Sequence, residues 1–237
     1  MVSIMGIHER KEREKEQRKE EIVTAAQKVF FEKGLQLATV DEIAESAELS
    51  KGTIYLYYKS KEDLYLAVLM RGMQKLQDAF ALRIQSESNT LRALLGLIQT
   101  YLEFFRDHRD YFRMFQFLQT PQFHKQVSDE MKEAGSQVNR STWNLAIGMI
   151  QRGIDEGLLS SDIAAGEAAV ILWLNATSLL TRIDTEADMW KDKMKIDLNR
   201  VLGRSIELYL NSLLAPETKE HYSPVLKSFY SQFVNTL

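Results

Sequence analysis

Cysteine is absent from this 237-residue chain, and proline occurs only three times. Without cysteine there is no disulfide framework, no thiolate metal site and no cysteine nucleophile, and a reducing cytoplasm is the expected compartment. Because proline breaks helices, its scarcity leaves almost the whole chain able to be helical. The longest run without a charged side chain covers the fourteen residues of 168–181, whereas a membrane-spanning helix needs about 20 apolar residues. We therefore expect neither a membrane span nor an apolar secretory signal.

Enzyme signatures are also missing from the sequence. It has no phosphate-binding P-loop, no glycine-rich dinucleotide motif and no pair of histidines at metal-binding helical spacing. The four histidines are scattered along the chain, and a lone histidine on a helix is seldom a ligand. We expect no catalytic residue, no metal and no cofactor. A helical small-molecule carrier, or an enzyme without DNA-binding activity, is the alternative interpretation.

Charge is unevenly distributed along the chain. The net charge is −3, yet residues 9–61 hold eleven basic and eleven acidic side chains and are neutral as a group. Within them, residues 50–61 carry Lys51, Lys59 and Lys61 and no acid. A small basic face of this kind is compatible with DNA binding, whereas a non-specific nucleoid factor would need broader positive charge.

Apolar residues recur at helical spacing, and no strand pattern stands out. The pattern predicts an all-α chain in which charged residues 9–21 form a solvated helical extension. A basic arm near DNA phosphate is the alternative for these residues, which the interleaved acids weaken. Thr39 and Glu42 fit a capping box, and Ser50 and Ser60 fit helix N-caps. We predict a helix before Gly34, then helices at 39–47, 50–57, 60–85, 90–107, 109–118, 122–156, 162–182 and 190–214, with a possible short helix at 225–234.

The two short helices at 39–57 have the pattern of a helix-turn-helix. Ile43, Ala47 and Ile54 can form a shared core between them, which leaves hydroxyl groups, a lysine and two tyrosines on the second helix. Such side chains suit phosphate oxygens and base edges. The pattern favours a DNA-recognition helix, and ordinary helical packing is the alternative.

These segments resemble the DNA-binding head of the TetR (tetracycline-repressor-like) family of bacterial transcriptional regulators. The resemblance covers residues 22–68 and rests on Phe30 followed by Gly34, on Thr39 to Ala44, and on residues 50–64, which read SKGTIYLYYKSKEDL. It implies a three-helix helix-turn-helix head with the N-terminal extension over residues 1–66. Residues 67–237 would then form a larger helical ligand-binding and dimerisation domain.

The resemblance also implies roles for residues in the head. Thr39 and Lys61 would hold phosphates at helix N-termini, and Tyr58 would lie in the core. Glu48 departs from the family pattern, since the turn usually carries glycine there, and we expect a strain of about 1 kcal/mol if its φ is positive. The full DNA-binding set is Thr39, Ser50, Lys51, Gly52, Thr53, Tyr55, Tyr57 and Lys61.

For the rest of the chain the resemblance implies a homodimer that binds a double-stranded operator and responds to a small molecule, most simply as a repressor. Wide apolar faces on helices 162–182 and 190–214 indicate the dimer contact. The densest aromatic region predicts a largely apolar effector, although ordinary core packing would explain the same residues. The candidate ligand contacts are Tyr101, Phe105, Phe112, Phe115, Gln116, Gln119 and Trp143.

Overall fold

A computed structural model describes residues 2–118 and 121–233, and every regular element among them is helical. The all-α prediction, with a helix-turn-helix head and a larger helical C-terminal part, is confirmed. None of the described helices is both long enough and apolar enough to cross a membrane. The helices are α1 (Val2–Leu37), α2 (Val40–Ser46), α3 (Lys51–Tyr57), α4 (Lys61–Ser86), α5 (Thr90–Asp107), α6 (Arg109–Phe117), α7 (Pro121–Gln126), α8 (Asp129–Asp155), α9 (Ala165–Met194), α10 (Leu198–Leu213) and α11 (Lys219–Phe233), with a 3-10 turn at Pro216–Thr218.

Side-chain caps begin the helices of the head where the sequence predicts them. The Thr39 hydroxyl accepts from the backbone N–H of Glu42, and the Glu42 carboxylate accepts from the backbone N–H of Thr39. Ser50 Oγ accepts from Thr53 N at 3.0 Å, and Ser60 Oγ accepts from Asp63 N at 3.0 Å. Since each cap satisfies backbone donors that a helix leaves unpaired, these residues set where α2, α3 and α4 begin.

The turn between α2 and α3 is closed by a left-handed residue that is not glycine. Glu48 has a φ of 55°. Its N–H donates to Glu45 O at 3.0 Å, and the N–H of Leu49 donates to Ala44 O at 2.9 Å. These two bonds form a Schellman motif, which needs a positive φ at this position.

The chain divides into two compact units, each with its own packing. The first holds residues up to Gln74 together with Arg113–Asn139, and the second holds Lys75–Phe112 together with Arg140 onward. α4 therefore contributes residues to both units. The functional division between residues 66 and 67 stays a prediction.

Tyr65 of α4 is central to the core of the first unit. It is 1% exposed, its ring contacts Phe30 and Phe123 edge-on, and its hydroxyl donates to Met114 O at 3.0 Å. Tyr58 is also buried, as the resemblance implied. Tyr65 thus joins the head helices to Met114 and Phe123, which lie far along the chain.

The core of the second unit is built mainly from α5, α9 and α10, with further side chains from α8 and α11. The fully buried side chains that pack together in this core include Leu102, Phe105, Leu180, Leu202 and Ile206. Tyr209 of α10 donates its hydroxyl proton to Ala168 O of α9 at 2.9 Å.

The prediction of one helix over 122–156 is wrong. Ser128 lies between α7 and α8, and its N–H donates to Asp63 Oδ1 at 2.8 Å. Ser128 Oγ accepts from Met131 N at 3.4 Å. Because these bonds replace intrahelical ones, the helix ends and a new one begins here.

The boundary between the last two long helices also differs from the prediction. α9 runs on to Met194, so Trp190 belongs to it and not to the start of the next helix. Lys195 then takes a φ of 56°, and Asp197 caps α10 through the N–H groups of Asn199 and Arg200. The helices predicted at 162–182 and 190–214 are therefore Ala165–Met194 and Leu198–Leu213.

Candidate DNA-binding surface and aromatic cluster

One face of α3 is buried and the opposite face is open to solvent. Ile54 is 0% exposed and anchors the helix to the head. On the other side lie Gly52 and Leu56, four residues apart, and Leu56 is 83% exposed. Tyr55 is 45% exposed, whereas Tyr57 is half-buried. The helix therefore presents a compact outward surface of mixed chemistry.

Polar groups at the start of α3 are held by neighbours. The hydroxyl groups of Ser50 and Thr53 share a hydrogen bond of 2.8 Å. Lys51 Nζ donates to Asp41 Oδ2 of α2 at 2.7 Å, and this bond raises the pKa of Lys51. The lysine remains a cation on the α3 surface, positioned by the preceding helix.

Thr39, predicted to hold a phosphate, is part of a charged capping network. The Glu42 carboxylate accepts from Lys33 Nζ at 2.6 Å and from Thr39 Oγ1 at 3.0 Å. The Lys33 bond, followed by the bonds from Thr39, lowers the pKa of Glu42 to about 2. An anion already occupies the α2 N-terminus, so a phosphate there would meet Glu42 as well as Thr39.

Lys61, also predicted to hold a phosphate, reaches back into the head. Its ammonium donates to Leu35 O at 2.6 Å and to Ala38 O at 2.9 Å, and the residue is half-buried. These bonds tie the start of α4 to the end of α1. A phosphate contact by Lys61 would have to use the remaining N–H of the same ammonium.

Sequence reasoning missed Leu56 as part of this surface. The selection of polar and aromatic residues passed over an aliphatic one that the structure places between them. Counting helical positions outward from Ile54 would have found it, because a residue two positions after a buried one points away from the core.

Four of the predicted ligand contacts form one aromatic cluster in the second unit. Phe112 contacts Phe105 and Tyr101 edge-on, at ring distances of 5.0 and 5.5 Å. Trp143 contacts Trp173 edge-on at 5.5 Å. The Tyr101 hydroxyl lies 2.7 Å from Thr177 Oγ1 and also hydrogen-bonds with Trp173, which links the two groups.

Trp173 and Thr177 of α9 are the members of this cluster that the sequence did not indicate. Their separation of four residues puts them on one face of α9. Phe115 belongs to the first unit and not to the second, which holds this cluster. Gln119 and the side chain of Gln116 lie outside the described part of the chain.

The cluster is largely apolar, with a polar group at Tyr101 and an ion pair at Arg109. Burial raises the pKa of Tyr101 to about 12, so its hydroxyl is neutral at physiological pH. Arg109 lies over the Phe105 ring at 5.3 Å and pairs with Asp184, whose side chain is only 7% exposed. Among the described residues no group of histidine and carboxylate side chains could hold a metal ion.

Comparison with known proteins identifies the head. Residues 22–68, which contain the capped helices α2 and α3, match the family described as bacterial regulatory proteins, tetR family. Residues 22–68 therefore have the DNA-binding region of the TetR family. The comparisons support a transcriptional regulator of this family.

Individual relatives are more distant. The transcriptional activator FasR of Mycolicibacterium smegmatis is 28% identical over 100 residues, which cover 42% of this chain and 46% of FasR. The transcriptional repressor KstR2 of Mycobacterium tuberculosis is 26% identical over 151 residues, 62% of this chain and 71% of KstR2. The structure of FadR from Bacillus subtilis, in complex with stearoyl-CoA, aligns with a TM-score of 0.62 at 20% identity, over 81% of this chain and 98% of that one. The last likeness shows a shared fold.

Proposed function

We propose that this TetR-family regulator is a homodimeric repressor that a small, largely apolar molecule releases from its operator. The observation that carries the DNA-binding part is the outward face of α3, a short helix capped by Ser50 and anchored by Ile54. A recognition helix needs this combination, because it must be rigid on one side and open to base edges on the other.

A dimer would present two such helices to one duplex. Half-sites on one side of B-DNA lie about 34–36 Å apart, or a multiple of that. An effector that binds better to a dimer with a different separation of its two α3 helices would shift the population away from the operator.

The exposed apolar residues of α9 and α10 support the dimer. Val170, Ile171 and Leu174 share one face of α9, and Leu174 is 52% exposed. Val201 and Leu208 are seven residues apart on one face of α10, and Leu208 is 54% exposed. Apolar stripes on adjacent helices are typical of a surface that a second copy covers.

The aromatic cluster supports an apolar effector. Burying an unpaired charge among Tyr101, Phe105 and Phe112 would be costly, whereas the neutral Tyr101 hydroxyl can orient a ligand with a neutral polar group. The stearoyl-CoA bound to the FadR relative is mostly hydrocarbon at its acyl end. KstR2 is named a repressor, which favours repression for this chain, although FasR is named an activator.

DNA binding is tested by fluorescence anisotropy with the DNA upstream of the protein's own gene, at several salt concentrations. We expect Tyr55→Ala to weaken binding about tenfold or more without lowering the melting temperature, because Tyr55 is exposed on α3. Leu82→Ala, which changes an exposed residue of α4, is the matched control and should bind normally. Failure to bind either this DNA or any duplex selected from a random pool would favour the carrier or enzyme alternative.

The effector site is tested with stearoyl-CoA as the probe and coenzyme A as its polar control. We expect stearoyl-CoA to release the DNA and to change the tryptophan fluorescence, and coenzyme A to do neither. The signal should fall in Trp143→Phe and Trp173→Phe but persist in Trp190→Phe, since Trp190 lies at the far end of α9. If the stearoyl chain is too long for the site, other apolar and aromatic compounds are tested in the same two assays. Release by small charged metabolites alone would place the effector elsewhere.

A further inference from the structure

Leu56 is the side chain that projects most directly from the exposed face of α3. It is 83% exposed, while Ile54, two positions earlier, is 0% exposed and lies on the opposite side. Gly52 precedes Leu56 by four residues and so lies on the same face. A Cβ added at Gly52 would meet only Ser50 Oγ, at 3.7 Å, so nothing inside the protein requires glycine there. The glycine leaves open space beside the leucine on the outward side.

The polar groups at the start of α3 are already engaged in hydrogen bonds within the head. Ser50 pairs with Thr53, and Lys51 pairs with Asp41. The isobutyl group of Leu56, near the C-terminal end of the exposed face, has no hydrogen bond to offer. It therefore suits an apolar target on the DNA.

We propose that Leu56 reads thymine in the operator through the C5-methyl group. Base edges in the major groove present hydrogen-bond donors and acceptors, and the thymine methyl is the apolar group among them. Contact with it removes apolar surface of both partners from water, which gives sequence preference without a hydrogen bond. The inference rests on the proposed function, because it requires α3 to enter the major groove.

Replacing thymine by deoxyuridine tests the contact, because it deletes only this methyl group. A duplex is first selected from a random pool by the full-length protein, and then each thymine is replaced singly. We expect the wild-type protein to lose about fourfold in affinity at one or more thymines in each half-site, the loss typical of one buried methyl group. In Leu56→Ala the thymine and deoxyuridine duplexes should bind equally at those positions.

Two further variants separate this effect from a general loss of binding. Leu37→Ala changes another exposed leucine of the head, 75% exposed but outside α3, and should keep the wild-type preference for thymine. Leu56→Met keeps an apolar side chain of similar length and should keep part of the preference for thymine. Equal thymine preference in the wild type and in Leu56→Ala, with DNA binding intact, overturns the role of Leu56 alone. A protein that selects no duplex overturns both this role and the proposed function.

Discussion

Glu48 holds a backbone conformation that glycine would adopt more easily. Its φ of 55° closes the turn between α2 and α3, and its side chain has a Cβ that clashes with the backbone in this region. The sequence analysis predicted strain at Glu48 if its φ was positive, and the observed φ is positive. The strain lies in the turn that sets the direction of α3.

Glu48→Gly should therefore stabilise the protein by up to about 1 kcal/mol, the strain relieved less the entropy cost of glycine. The free energy of unfolding in urea measures it. Glu48→Ala removes the same charge but keeps the Cβ, so it should gain little. Equal gains in both variants would assign the effect to charge and not to the backbone.

Lys61 acts within the head whatever its part in DNA binding. Its ammonium bonds the carbonyls of Leu35 and Ala38, and both would lose a charged donor in Lys61→Met. We expect a loss of about 1–3 kcal/mol in unfolding free energy. Lys59→Met is the matched control, because the Lys59 ammonium makes an exposed contact with Glu130 at 3.6 Å and bonds no backbone carbonyl of α1. If the two variants are equally stable, the bonds from Lys61 to Leu35 and Ala38 contribute nothing to the free energy of unfolding.

At the scale of the element, α1 and α2 are joined by an ion pair that depends on pH. Glu42 bonds to Lys33 of α1 while it caps its own helix at Thr39. Its carboxylate form is favoured by folding, since its pKa falls from the ordinary 4.5 to about 2. The contribution is thus complete above about pH 4.5 and disappears as the pH falls towards 2.

Glu42→Gln should accordingly lower the melting temperature at neutral pH and lose its effect in acid. Melting temperatures of the wild type and the variant, measured from pH 7 down to 2.5, should converge below pH 4.5. The exposed pair Arg10 and Glu14 provides the control, because Glu14→Gln should change little at any pH. A difference that stays constant with pH would exclude the ionised cap as its cause.

At the scale of the whole molecule, we propose that two copies associate through the exposed apolar stripes of α9 and α10. The sequence favoured the apolar faces of helices 162–182 and 190–214 for this contact, but Leu198, Leu202 and Ile206 on the second of them are buried within the second unit. The helical spacing of apolar residues identified the apolar positions of these helices correctly. It could not distinguish the positions that face the protomer's own core from those that face a second copy.

Leu208→Lys should convert the dimer to a folded monomer, because it places a charge in the contact without entering the core. Light scattering gives the mass, and circular dichroism checks the fold. Leu82→Lys, which alters an exposed leucine of α4 at 69% exposure, should remain dimeric. A wild-type protein that is already monomeric at micromolar concentration would contradict the assignment.

Local sequence predicted the features that short-range bonds control. Thr39, Ser50 and Ser60 each cap within three residues, so their patterns can be read directly. Features set by distant residues were missed or misjudged. The break at Ser128 depends on a bond to Asp63, 65 residues away, and Lys61 finds its carbonyls more than 20 residues back. The DNA and ligand contacts stay predictions, since they depend on partners outside the chain.

The packing around Asp63 and Tyr65 bears on how such regulators can be recombined. Both residues lie on the head side of residue 66, yet one bonds to Ser128 and the other to Met114. A chimera that took only the first 66 residues and joined them to another regulator would leave a buried carboxylate and a buried phenol to find new partners. Exchange of DNA specificity between relatives should succeed more often when residues 113–139 are transplanted with the head.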